Sequence, residues 1–96
     1  MISEKQKARV EYLCQKMQEV SGIDPRGRSR KRDVVAARCI VSHTLIREGY
    51  SFTQIGELLG MDRSTIYFYE DRILGYQFGG YEPERELWDK FKRSIQ

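Results

Sequence analysis

Long apolar runs are missing from this 96-residue sequence, and none approaches the roughly 20 consecutive apolar residues that a membrane-spanning helix needs. The N-terminal stretch MISEKQKARV mixes both charge signs and lacks the apolar segment of a secretory signal. We therefore expect no transmembrane segment and a cytoplasmic protein. Hydrophobic residues make up 40% of the chain and charged residues 32%, which is typical of a soluble helical domain with one core.

Cysteine and histidine are scarce, with two cysteines and one histidine in the whole chain. Cys14 and Cys39 lie far apart in the sequence, and no second cysteine pair or histidine cluster completes a zinc-binding pattern. We expect buried thiols and no metal site. His43 has no carboxylate or cysteine at a catalytic or ligand spacing, so an ordinary hydrogen bond on a helix face is the favoured interpretation.

Motifs for catalysis are also missing. The chain has no GxxxxGKS or GxxxxGKT loop that would hold the phosphates of a nucleotide. Four serines have no histidine in an arrangement that would activate them, namely Ser29, Ser42, Ser51 and Ser64. A small helical domain also offers little concave volume for a substrate. We expect no enzyme activity, no cofactor and no small-molecule substrate.

Apolar residues do recur at helical spacing, which predicts one all-α domain of about four to five helices over residues 1–96. A first helix is expected from residue 3 to about residue 20, with Ser3 and Gln6 as a capping box. A second is expected from residue 33 to about residue 48. A closing helix is expected at about 83–95, where Pro83 occupies the first turn and the glutamates form a solvated face.

Residues 51–73 have the pattern of two short helices joined by a tight turn, which predicts a helix-turn-helix. Ser51 and Gln54 form a second capping box, and Gly60 permits the turn. Asp62 is then placed to cap a new helix. The first turn of that helix, with its free backbone N–H groups and the positive end of the helix dipole, holds Arg63, Ser64 and Thr65.

A basic loop precedes the helix-turn-helix. Five cations fall within seven positions that contain no acid, namely Arg26, Arg28, Arg30, Lys31 and Arg32. Such a run is either a solvated charged segment or a contact surface for a polyanion. We favour nucleic-acid contact, because the run adjoins a helix-turn-helix rather than a chain terminus. Arg38, roughly 9 Å further along a helix axis, is expected to extend the same positive surface.

Glycines alternate with aromatic residues at 75–81, which predicts a flexible loop. The aromatic residues are Tyr76, Phe78 and Tyr81. We expect them to dock on the core of the domain, and the alternative is that they stay exposed as a surface for a protein partner.

Four short motifs occur in succession within residues 21–73. They are the SGIDP turn, the SRKR run followed by Ala37 and Arg38, the IGELLG segment that begins at Ile55, and the DRST segment at 62–65. In these motifs the chain resembles the C-terminal DNA-binding domain of the bacterial chromosomal replication initiator DnaA. In that family the last motif usually reads Asp-His-Thr-Thr and begins the helix that enters the major groove of a DnaA box.

The resemblance implies roles for several positions of this sequence. Arg30 matches an arginine that enters the minor groove, and Arg38 matches one that contacts a phosphate. Ser64 and Thr65 match threonines that touch bases and backbone. Arg63 replaces the histidine of the family, and its fork of donors suits guanine or a phosphate, so we expect a shifted sequence preference.

Two further departures from the family are Cys39, where a glutamine is common, and Tyr69, where a small residue is usual. We expect the first to remove a polar contact to the DNA backbone and the second to alter the contact with the groove. The ATPase part of the initiator does not occur in these 96 residues, so the expectation is a stand-alone DnaA-box-like binder. Its expected role lies in replication initiation or its regulation, or in transcription regulation.

The sequence therefore predicts a nucleoid-associated protein that binds specific sites on double-stranded DNA. The predicted contact residues are Arg28, Arg30, Lys31, Arg32, Arg38, Asp62, Arg63, Ser64 and Thr65. The helix residues would read the major groove, and the loop cations would engage phosphates and the minor groove. The alternative is a protein-interaction module that uses the same fold without reading DNA. Binding of structured RNA is a weaker third interpretation, because no stacking platform is evident.

Overall fold

The computed structural model describes residues 2–27, 29–78 and 82–95, apart from the side chains at 74 and 76–78. Within these residues the chain forms five α-helices and no β-strand, which confirms the predicted all-α domain. The helices are α1 (Glu4–Ser21), α2 (Arg32–Arg47), α3 (Phe52–Leu59), α4 (Arg63–Phe78) and α5 (Glu82–Ile95).

Both predicted capping boxes are present. At the start of α1, the N–H of Gln6 donates to Oγ of Ser3 at 3.1 Å, and the N–H of Ser3 donates to Oε1 of Gln6 at 2.9 Å. Ser51 and Gln54 make the same reciprocal pair at the start of α3. Each box satisfies donors that a helix end leaves unpaired, so local sequence determines where these two helices begin.

All five helices contribute to one hydrophobic core. α2 lies at its centre and contacts each of the other four helices. The largest fully buried side chains include Leu13 and Met17 of α1, Ile40 and Leu45 of α2, Ile55 of α3, Ile66 and Ile73 of α4, and Phe91 of α5. None of the helices in the described residues is long and apolar enough to cross a membrane.

Cys14 and Cys39 are buried in this core as thiols, as predicted, and no disulfide joins them. Burial raises the pKa of the Cys14 thiol to about 11, because a thiolate would lose its hydration among apolar side chains. The Cys14 thiol is therefore protonated at neutral pH.

The predicted loop at 75–81 is wrong in its first part. α4 continues without a break to Phe78, so Gly75 and Tyr76 are helical. A formed helix gains one hydrogen bond for each residue added, and an internal glycine costs only about 1 kcal/mol relative to alanine. α4 as a whole also packs against α2 and α5. Residues 79–81 and the side chains at 76–78 lie outside the described part of the chain, and with them the predicted partner surface.

Candidate nucleic-acid interface

α3 and α4 form the predicted helix-turn-helix. Gly60 ends α3 in the left-handed conformation, with φ 71°, and the N–H of Met61 donates to the carbonyl of Gly56 at 2.7 Å. A Cβ on Gly56 would lie 2.5 Å from the carbonyl oxygen of Met61. The missing side chain therefore lets the turn fold back onto α3, and this contact fixes where α4 begins.

The start of α4 is exposed just beyond the turn. The carbonyl of Asp62 accepts the N–H groups of Thr65 at 3.0 Å and Ile66 at 3.3 Å, which places Asp62 at the predicted cap position. Arg63 and Ser64 are exposed, and Thr65 is half-buried. The backbone donors of the first turn and the positive end of the dipole give this end of α4 an affinity for anions.

A groove of about 710 Å³ lies between the start of α4 and the basic loop. Arg30 lines it from the loop, and Arg63 and Thr65 line it from α4. Val35 of α2 and Thr53 of α3 also line it. The structure thus brings Arg30 together with three of the predicted contact residues at the start of α4, namely Asp62, Arg63 and Thr65, whereas Ser64 does not line the groove.

Arg30 and Lys31 are the exposed cations of the basic loop that have no carboxylate partner among the described residues. The N–H of Lys31 donates to Oγ of Ser29 at 3.3 Å, which orders the backbone there. Arg28, also predicted to contact DNA, lies outside the described residues. Two neighbouring cations therefore remain available to a polyanion.

Arg26 and Arg32 are paired with acids, although the basic run itself contains none. Arg26 donates to the carboxylate of Asp24 from Nε at 2.9 Å and from Nη2 at 3.1 Å. These hydrogen bonds lower the pKa of Asp24 and raise the pKa of Arg26. Arg32 donates to both carboxylate oxygens of Glu84 on α5. The loop is consequently less positive than five uncompensated cations would make it.

Glu84 departs from the predicted solvated face of α5, because its side chain is only 4% exposed. Burial alone would raise its pKa, but hydrogen bonds from Arg32 and from its own backbone N–H outweigh burial and lower the pKa. The carboxylate is therefore held ionised, and it ties the start of α5 to the start of α2.

Arg38 borders the groove but is buried, whereas an exposed place on the positive surface was predicted. It is only 3% exposed, so that prediction is wrong. Its Nε donates to the carbonyl of Pro25 at 2.9 Å, its Nη2 to the carbonyl of Ser29 at 2.7 Å, and its Nη1 to the hydroxyl of Tyr69 at 3.3 Å. The central position of α2 turns this residue inward, where carbonyls of the loop satisfy its donors. Arg38 therefore holds the basic loop against the core, and its phosphate contact stays a prediction.

The two other departures from the DnaA pattern are also core residues. Cys39 is fully buried, and Tyr69 is nearly so. The ring of Tyr69 borders the groove while its hydroxyl accepts the hydrogen bond from Arg38. Neither residue belongs to the exposed face of α4.

His43 makes the ordinary hydrogen bond that the sequence favoured, with a partner that the sequence did not indicate. Its Nδ1 lies 2.5 Å from Oε1 of Glu70 on α4, and its ring packs against Trp88 of α5 with 4.9 Å between centroids. Nε2 is buried and has no hydrogen-bond partner among the described residues. The same residues contain no group of three His, Cys, Asp or Glu side chains that could hold a metal ion. Through its contacts with Glu70 and Trp88, His43 of α2 connects α2 to α4 and α5.

Two exposed aromatic side chains on α4 were missed by the sequence reasoning. Tyr67 is 56% exposed and Phe68 is 55% exposed. The helical period predicts this exposure. Ile66 and Ile73 are buried and define the inner face of α4, so positions 67 and 68 lie outside that face. Phe68 lies one helical turn after Ser64, so the predicted contact surface and the missed residues share one face.

No protein-family model, curated protein or solved structure matches this chain. The groove and the exposed face of α4 are therefore the features that bear on its function.

α4 has a length and width that the major groove of DNA could accommodate. α4 has 16 residues and is therefore about 24 Å long. An α-helix with its side chains is about 10–12 Å wide, which is close to the roughly 12 Å width of the major groove of DNA.

Proposed function

We propose that this chain is a sequence-specific double-stranded DNA-binding domain of the helix-turn-helix kind. The proposal rests above all on the groove beside the N-terminus of α4, which is lined by Arg30 of the loop and Arg63 of α4. Cations next to unpaired backbone donors form a surface that attracts phosphates. The exposed face of α4 adjoins this surface, so a single duplex is able to contact both.

In this proposal α4 enters the major groove with Arg63 and Ser64 at the base edges. The guanidinium fork of Arg63 matches O6 and N7 of a guanine. The exposed Asp62 offers an acceptor for the amino group of a cytosine. Thr65 is half-buried beside the groove and suits a phosphate of the DNA backbone.

The basic loop would engage the adjacent phosphates and the minor groove through Arg28, Arg30 and Lys31. Arg32 keeps much of its side chain exposed while it pairs with Glu84, so it adds less positive charge than the other loop cations. Arg38 would act mainly by positioning the loop, because its guanidinium is occupied by loop carbonyls.

We also propose that the recognised site is related to a DnaA box, and that the chain acts in replication initiation or its regulation, or in transcription regulation. The DRST segment at the start of α4 and the SRKR run in the loop support this, since both border the proposed DNA surface. Arg63 in the place of a histidine supports a base preference that differs from that of the initiator.

Selection of bound sites from random duplexes, followed by fluorescence anisotropy over a salt series, tests the proposal. Arg63→Ala should reduce the discrimination between selected and random duplexes by about 1–3 kcal/mol. Lys31→Ala should weaken binding to all duplexes alike and reduce the salt slope by about one, because it removes one phosphate contact. Lys90→Ala, at an exposed position of α5, is the matched control and should change neither quantity.

Equal losses on every duplex for the Arg63 and Lys31 variants would contradict the proposed division of roles. If the wild-type chain binds no duplex even at low salt, the protein-interaction alternative is favoured instead. The exposed rings of Tyr67 and Phe68 would then be the first surface to examine for a protein partner.

A further inference from the structure

Phe68 occupies the centre of the exposed face of α4. It lies opposite the buried Ile66 and Ile73 and one helical turn beyond Ser64. Phe91, in contrast, is fully buried. A single exposed apolar residue is unremarkable on most surfaces. Here the ring stands among the residues proposed to face the bases, so its chemistry bears on which bases are read.

The ring of Phe68 makes a cation–π contact with Arg72 of the same helix. The guanidinium carbon of Arg72, one turn further along α4, lies 5.5 Å from the ring centroid. A cation at this distance from an aromatic face is attracted to it, typically by about 0.5–1 kcal/mol at exposed sites. The contact reduces the conformational freedom that the ring would otherwise lose on binding.

Tyr67, the neighbouring exposed aromatic residue, is engaged differently. Its ring packs against Phe52 of α3, with 4.1 Å between ring centroids. Tyr67 therefore belongs partly to the contact between the two helices of the helix-turn-helix. Of the two exposed rings, Phe68 is the one without an aromatic partner on α3 among the described residues.

The acid at position 71 limits how much of α4 approaches DNA. Asp71 is exposed, has no ion-pair partner among the described residues, and would repel phosphates. We therefore place the closest contact with phosphates on the first two turns of α4. Those turns include both Ser64 and Phe68.

We propose that Phe68 reads the C5 methyl group of a pyrimidine in the major groove, as carried by thymine or 5-methylcytosine. The other groups that distinguish the four base pairs in that groove are hydrogen-bond donors and acceptors, and a phenyl ring offers neither. One helical turn advances about 5.4 Å, or somewhat under two base pairs at about 3.4 Å each. The methyl group therefore lies within about two base pairs of the pair that Ser64 faces. The inference rests on the proposed DNA-binding function and adds the chemical class of base.

Single thymines in the selected site are replaced, one at a time, by deoxyuridine, which lacks only the methyl group. Binding of each duplex is measured by fluorescence anisotropy at one fixed salt concentration. For the wild-type chain, one replacement, or two at adjacent pairs, should weaken binding about three- to fivefold, the effect of one methyl group removed from water. For Phe68→Ala the same replacements should leave the dissociation constant unchanged. Phe68→Leu, which keeps an apolar contact, should retain part of the preference.

Two further measurements distinguish the source of the methyl group and the role of the neighbouring ring. The sensitive thymine is replaced by cytosine or by 5-methylcytosine, with guanine opposite. If the methyl group is what Phe68 reads, 5-methylcytosine should bind more tightly than cytosine in the wild-type chain but not in Phe68→Ala. Tyr67→Ala is the matched control and should keep the methyl preference. Because Phe68 is exposed, its replacement should not unfold the domain, and circular dichroism with thermal unfolding tests whether each variant is folded.

Several outcomes overturn the inference. If deoxyuridine has no effect at any thymine, or if its effect persists in Phe68→Ala, Phe68 does not read the methyl group. If light scattering shows that Phe68→Ala abolishes self-association without changing methyl preference, the ring is an interface between two copies. Failure of the wild-type chain to select any duplex would remove the proposed function itself, and this first step separates the two failures.

Discussion

Arg38 brings a full positive charge into the interior of the protein. Burial of a charge is costly unless hydrogen bonds compensate for the lost hydration. Here the guanidinium donates to two loop carbonyls, those of Pro25 and Ser29, and to the hydroxyl of Tyr69. Pro25 precedes the basic loop and Ser29 lies within it, so one side chain ties both of these backbone positions to α2.

Arg38→Met should destabilise the fold by about 1–3 kcal/mol, because it leaves two carbonyls without a donor while it keeps an apolar side chain of similar length. Urea unfolding followed by circular dichroism measures this. Tyr69→Phe removes only the longest of the three hydrogen bonds and should cost about 0.5–1.5 kcal/mol. An equal or larger loss for Tyr69→Phe would show that the loop carbonyls contribute little.

The same residue shows why part of the site could not be predicted from the sequence. A charged side chain near a run of cations is expected at the surface, since arginine is rarely buried without partners. The partners of Arg38 are backbone carbonyls, which every residue carries and which no sequence pattern marks. Arg63 and Ser64 were easier to place, because a cap and a glycine turn just before them locate the helix start.

At the scale of the element, the helix-turn-helix depends on a close approach at Gly56. Alanine in a helix interior is normally favoured over glycine by up to about 1 kcal/mol. At Gly56 the added methyl group would meet the carbonyl oxygen of Met61 at 2.5 Å, so the turn must shift.

Gly56→Ala should therefore destabilise the fold by about 1–3 kcal/mol, against the usual preference for alanine, because overpacking here displaces backbone. Thermal unfolding measures the change. Gly49→Ala is a useful comparison, since Gly49 has φ 96° and nothing within 4 Å, so its cost would come from backbone conformation alone. An increase in the free energy of unfolding for Gly56→Ala would mean that the turn relaxes without cost.

Helix boundaries were predictable where a local signal determines them and not where packing does. Ser3 and Ser51 each bond to a glutamine three residues later, so those starts follow from four residues of sequence. The end of α4 does not, because Gly75 lowers local helix propensity and yet the helix continues to Phe78.

At the scale of the whole molecule, the pair of Arg32 and Glu84 joins residues 52 positions apart and connects α5 to the end of the basic loop. The pKa of Glu84 is lower in the folded protein than its ordinary value of 4.5. The folded state therefore favours the ionised carboxylate. The resulting stabilisation is complete above about pH 4.5 and is lost as the pH falls through the folded pKa.

Glu84→Gln should lower the free energy of unfolding by about 1–2 kcal/mol at neutral pH, because it removes a charged hydrogen bond. It should also flatten the loss of stability below about pH 4.5, since one group with a lowered pKa is gone. Urea unfolding at several pH values measures both effects. Glu86→Gln, two positions along α5 and exposed, is the matched control. Parallel pH profiles for the wild-type chain and Glu84→Gln would contradict the assignment.

Pairs that are distant in sequence account for most of what the sequence did not predict. His43 and Glu70 are 27 positions apart, and Arg32 and Glu84 are 52 apart. One sequence contains no sign that two such residues meet, because their distance depends on how all five helices pack. The fold class was predictable because helical periodicity repeats in every segment.

Because Cys14 is buried, its rate of alkylation depends on opening of the folded protein. Alkylating reagents react with a thiolate at an accessible site, and this thiol is fully buried with a pKa of about 11. Modification must therefore await an opening of the core that exposes α1. The labelling rate of Cys14 consequently reports how often the native protein opens, in plain buffer and without denaturant.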